Sequence, residues 1–133
     1  MIPIRSRALF SLLFAALLAG TLLSGCSPSP PPKPDLPASV SPGWKQDSFA
    51  SIPKPADLPG SPECWKAHYS GQGTAEVEVC GYPNGAFDAA QRAAAQGQTV
   101  KFDQGKYFVR VRWNDSAKPA VTALVRAIQK SLH

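Results

Sequence analysis

Few residues in this chain are of a type that does chemistry. The C-terminal part holds Cys64, Cys80, His68, the terminal His133 and the carboxylates Glu76 and Glu78. His68 falls opposite Glu76 in the hairpin derived below. That pair reads either as a base with its orienting carboxylate or as a cross-strand surface pair. Glu76 and Glu78 share one strand face, but Lys66 and His68 oppose them, which is charge balance rather than paired acid–base carboxylates. A redox role for Cys64 and Cys80 would call for an electropositive thiol, often in Cys-x-x-Cys, and the sequence has neither. Two cysteines and one histidine are too few for a zinc set. There is no G-x-S-x-G, no H-E-x-x-H and no phosphate-binding glycine loop. No catalytic residue, metal or cofactor is therefore expected. An enzyme would have to be built on His68/Glu76, and a redox protein on Cys64/Cys80.

The elements that place these residues follow from alternation. Cys64–Tyr69 and Ala75–Cys80 are two period-2 runs around Gly71-Gln72-Gly73, which is the pattern of a β-hairpin. Centring the turn on Gln72 sets Tyr69 opposite Ala75, Ala67 opposite Val77 and Trp65 opposite Val79. On the other face His68 meets Glu76, Lys66 meets Glu78, and Cys64 lands opposite Cys80. A slip of one residue spoils all three sets at once. Cross-strand neighbours meet the distance demand of a disulfide. A loop of this length contributes about 3 kcal/mol in the chain-entropy model.

Asn84-Gly85 opens a helix over Ala86–Gln96, with Phe87, Ala90 and Ala94 on one side and Gly97 as the stop. Thr99–Asp103 and Lys106–Trp113 form a second hairpin. A turn at Gln104-Gly105 sets Phe102 against Tyr107 and Val100 against Val109. Asn114-Asp115-Ser116 offers a cap for a last helix, in which Val121, Leu124, Val125, Ile128 and Leu132 follow the helical period while Lys118, Arg126 and Lys130 face water. The expected fold is α+β: a ββα-ββα order with a four-stranded, largely antiparallel sheet and both helices on one face. The other face would lie open, with Lys101, Phe108, Arg110 and Arg112 as a binding surface for an anionic partner.

Of the 133 residues, those from 26 onward carry a net charge of 12 − 9 = +3, too weak for a nucleic-acid binder. Eleven of the 14 prolines lie in residues 27–62. That stretch is expected to be a polyproline-like spacer, with a ceiling on the order of 110 Å at ~3.1 Å per residue. Trp44, Phe49 and Ile52 interrupt it. If they dock, the domain edge moves from Glu63 to near Gly43. The remaining 71 residues, Glu63–His133, make a marginal core that favours a staple.

Arg5 and Arg7 precede 16 uncharged residues, Ala8 to Leu23. That run is too short to span a bilayer and is shaped like a removable export signal. Export brings Cys64 and Cys80 into an oxidising compartment, so a Cys64–Cys80 disulfide is expected. Leu23-Ser24-Gly25-Cys26 resembles the lipobox of bacterial lipoproteins at all four positions. The resemblance implies removal of residues 1–25 and acylation (diacylglyceryl, and often a further acyl chain such as palmitate) of Cys26. It implies membrane attachment in the cell envelope, and Ser27 in place of Asp favours the outer membrane, facing the periplasm, if the cell is Gram-negative. Residues 26–62 would then be the acylated tether and residues 63–133 the domain, which resembles small uncharacterised bacterial lipoprotein domains. The expected function is a non-catalytic binding or accessory module. Its partners would be the membrane through Cys26 and an envelope protein or anionic envelope polymer.

Overall fold

The computed structural model describes residues 29–132. The expected export signal, Cys26 and His133 lie outside the described residues. The strands are β1 (Ser39–Val40), β2 (Trp44–Ile52), β3 (Glu63–Ser70), β4 (Thr74–Gly81), β5 (Thr99–Gln104) and β6 (Tyr107–Asn114). The helices are α1 (Ala86–Arg92), between β4 and β5, and α2 (Lys118–Ser131), after β6. All strand pairings are antiparallel, in one six-stranded sheet of order β1-β2-β3-β4-β6-β5. The fold is α+β. The described chain runs β1, β2, β3, β4, α1, β5, β6, α2, so the sheet has six strands and not the four expected.

The β3–β4 register matches the sequence expectation at every pair, including Cys64 with Cys80. Their sulfurs lie 2.12 Å apart. The β5–β6 register differs. Phe102 pairs with Val109 and Val100 with Val111, because the turn is Gly105-Lys106 rather than Gln104-Gly105. Gly105 has φ 58°, which places it first in the turn, where the hairpin's twist demands a positive φ. The slip is two residues, so no side chain changes face.

The two helices lie on opposite faces, not on one. On the first face Trp65, Ala67, Tyr69, Val77, Val79, Val109 and Val111 pack with Ala120, Leu124 and Ile128 of α2 and with Leu132 just after it. On the second, Cys64, Cys80 and Phe108 pack with Ala86, Ala89, Ala90 and Ala93 at α1. Alternation makes this possible: β4 and β6 carry apolar residues on both sides near the Cys80–Phe108 pair, so each side needs a cover. The buried side of α1 is Ala86, Ala89 and Ala90, while Phe87, expected on the same side as Ala90, is 65% exposed. With small alanines inward, the helix backbone sits close to the sheet. The helix also ends at Arg92 rather than Gln96, and Ala93 is extended.

The proline-rich stretch is not a free spacer. Pro31 and Pro34, three apart as the polyproline period requires, are buried, as is Leu36 in the main core. Prolines leave carbonyls unpaired in such a segment, and buried tyrosines take them: Tyr107 Oη donates to Pro32 O and Tyr69 Oη to Pro37 O at 2.7 Å. Burial pushes both phenols above their ordinary pKa, so they remain donors. Trp44 is buried, and its Nε1 donates to Ala120 O at 2.9 Å, pinning β2 to the first turn of α2. Phe49 packs against the main core and Ile52 against the second cluster. The packed unit therefore begins near Pro31, well before Glu63 or Gly43. No helix among the described residues is long and apolar enough to cross a membrane.

Candidate functional site

The face expected to be open is half covered. Phe108 is 0% and Arg110 2% exposed, so neither belongs to a docking surface. Two elements cover them. One is α1. The other is the segment between β2 and β3, where Leu58 enters the second core cluster and Tyr82 Oη holds Pro59 O at 2.8 Å. Next to Leu58, Asp57 reaches over Arg110.

All five N–H donors of Arg110 are engaged. Nη1 donates to Asp57 Oδ2 at 2.6 Å and to Ala94 O at 3.1 Å. Nη2 donates to Asp57 Oδ1 at 3.3 Å and Glu78 Oε2 at 2.9 Å, and Nε to Glu78 Oε1 at 3.3 Å. Bidentate geometry on both carboxylates makes this a strong form of ion pair. Burial works against the charge of Arg110, but the bonds to Asp57 and Glu78 outweigh it, and its pKa rises. The Arg110 bond holds the Asp57 carboxyl down from 3.8 to about 2. Partial burial opposes this and the Ala94 N–H bond adds to it. Lys101 reaches the same place, its Nζ donating to Ala93 O at 2.7 Å. Asp57, Arg110 and Lys101 thus engage the backbone just after Arg92, which is why α1 stops there. This cluster is a structural clasp between three chain segments.

Beyond the clasp the second face carries a solvent-facing strip. Glu76 Oε1 lies 3.8 Å from His68 Nδ1, and Glu76 Oε2 lies 3.8 Å from Lys66 Nζ. These are ion-pair distances, longer than the hydrogen bond that a base and its orienter share. Lys66 pairs across the diagonal with Glu76, and Glu78 is taken by Arg110 and by Arg112 Nη1 at 3.3 Å. Of the predicted binding residues, only Arg112 joins this half-exposed strip; Lys101, Phe108 and Arg110 serve the fold. Cys64 and Cys80 are both buried under α1. Among the described residues no three His, Cys, Asp or Glu side chains are grouped to hold a metal ion.

The site that sequence reasoning missed lies on the first face. A groove of about 500 Å³ runs between α2 and the β5–β6 hairpin. Val100 and Trp113 form its strand wall, and Val121 and Val125 its helix wall, with Lys118, Thr122 and Arg126 along the outer helical row. No acidic residue lines it. Trp44 and Leu36 draw the helix toward the β1–β2 side, so Val100, Phe102 and Trp113 stay only partly covered. Periodicity placed these residues on inward faces correctly. It could not show that one helix is too narrow for a six-stranded sheet. No protein-family model, curated protein or solved structure matches the chain.

Proposed function

We propose that the chain is a lipid-anchored protein of the bacterial cell envelope whose domain works by binding, with the α2/β5–β6 groove as its binding site. The groove carries this reading: a concave apolar surface with a few cations at its edge is the general form of a recognition site. The lipobox at Leu23–Cys26 supports the anchor, with Cys26 as the acylated first residue of the mature chain and the outer membrane as its location in a Gram-negative cell. Two or three acyl chains would hold it firmly, since each buried CH₂ contributes about 0.8 kcal/mol.

The docked prolines alter what the anchor does. From Cys26 to Pro31 there are five residue steps, at most about 18 Å of extended chain. The domain is then held beside the headgroups, and the partner is met close to the membrane surface. Two experiments test the reading. Intact mass of membrane-extracted protein should show a chain beginning at Cys26 and carrying diacylglycerol. A photo-crosslinker at Thr122 should trap an envelope component that a crosslinker at exposed Phe87 does not. An unacylated chain overturns the anchor; identical crosslinking from both positions overturns the groove.

A further inference from the structure

The two edges of the sheet are not alike. β1 is two residues long, followed by a turn containing Pro42, and β2 beside it carries a register shift at Gln46/Ser48. Short strands, prolines and bulges are the usual means of blunting an edge against further pairing. β5, at the other edge, runs six residues, Thr99–Gln104, without proline and without a register shift, and its one lysine, Lys101, is turned onto the second face, where its Nζ donates to Ala93 O. Its free backbone groups can be assigned. Trp113 N donates to Gln98 O, and Gln104 pairs with Tyr107 at the turn, so the even-numbered residues bond toward β6. By alternation, the N–H and C=O groups of Thr99, Lys101 and Asp103 point outward. The groove reaches this edge at Gln98 and Val100, on the face that Val100 shares with Phe102. Lys101 and Asp103 point to the opposite face.

We propose that β5 accepts an extended peptide segment of a partner protein as a seventh, antiparallel or parallel strand, with apolar and acidic side chains among those it turns toward α2. Main-chain bonds to Thr99, Lys101 and Asp103 supply pairing, and the groove supplies selection, as in strand-addition recognition generally. Apolar side chains enter between Val100, Trp113, Val121 and Val125. Acidic ones meet Lys118 and Arg126, which lie two helical turns apart, about 12 Å, on the outer row. The absence of any carboxylate in the groove lining sets the sign of the partner.

This rests on the groove being the binding site, and the test separates the two. The probes are two blocked heptapeptides, one of mixed Val and Glu and one of mixed Val and Lys, added to the purified, naturally processed protein at up to millimolar concentration. Amide exchange is read at Thr99, Lys101 and Asp103, and the Trp113 indole shift reports the groove. With the Val/Glu peptide near nine-tenths occupancy, exchange at those three amides should slow about tenfold, and the indole signal should move. Arg126→Glu should weaken that peptide about fivefold and favour the Val/Lys one. Indole movement without edge protection refutes strand addition and leaves the groove standing. No effect at either place, with the Thr122 crosslink also absent, refutes both. Equal binding of both peptides refutes the charge argument. Protection that rises with protein concentration alone would assign the edge to a second copy of this chain and overturn the proposal.

Discussion

Replacing Arg110 by Met should test what holds the Pro-rich N-terminal half onto the sheet. The variant keeps most of the side-chain volume and removes five hydrogen bonds at once, two of them to Glu78, which is 3% exposed. Glu78 would keep only Arg112 Nη1, at 3.3 Å. Breaking a buried pair by removing one partner costs about 3–5 kcal/mol, mainly because the remaining charge is stranded away from water. Asp57 is 36% exposed and can turn to solvent, so the lower part of that range applies, about 3 kcal/mol. With a urea slope of about 1–2 kcal/mol per molar for a chain of this size, the unfolding midpoint should fall by about 2 M. The decisive comparison is the double variant Arg110→Met with Glu78→Leu. It removes the stranded charge and should recover to within about 1 kcal/mol of the parent, since a buried pair replaced by apolar side chains of similar volume is close to neutral. A single variant that loses less than about 1 kcal/mol, or a double variant no better than the single, would refute the clasp as a buried, mutually dependent ion cluster.

Asp57 gives a pH signature of the same contact. Its folded pKa, about 2, lies below the ordinary 3.8, so its contribution is present above about pH 4 and is lost as pH falls through 2. The full shift corresponds to about 2 kcal/mol, which its exposure reduces to about 1; Asp57→Asn should flatten that acid limb in urea titrations run from pH 5 to pH 2. Reducing the Cys64–Cys80 bond, which closes a loop of separation 16, should cost about 3 kcal/mol, read as a lower urea midpoint with reductant. Tyr107→Phe removes the bond to Pro32 O and should lose about 1 kcal/mol and speed proteolysis near Pro31, while a chain unchanged in both would return the prolines to a spacer role. If Cys26 is acylated, energy transfer from tryptophan to headgroup-labelled lipid should be strong, and ten Gly-Ser residues inserted after Ser29 should weaken it; equal transfer in both would contradict the short leash.

Some local parts of the fold were legible in the sequence, while the β5–β6 turn and the end of α1 were not. The β3–β4 register needed no tertiary knowledge, because apolar pairs, charges and cysteines all select the same alignment and a slip would disturb every one. The last helix was also clear, as Val121, Leu124 and Ile128 repeat on one face. The clasp and the groove were not legible. Asp57 lies 53 residues from Arg110 in a segment whose composition argues against any core, so nothing local marks it as a partner. The available signal was Phe108 beside Arg110: an aromatic on a supposedly wet face needed a cover, and a buried arginine needed carboxylates. Proline composition alone implies a spacer, because prolines cannot form a helix or a central strand, which is true of their backbone. Their fate depended on tyrosines arriving from β3 and β6 to take carbonyls that no strand could use. Periodicity determines which way each side chain points; which face a helix or a proline segment covers depends on contacts dozens of residues apart, and these exist only once the chain has folded.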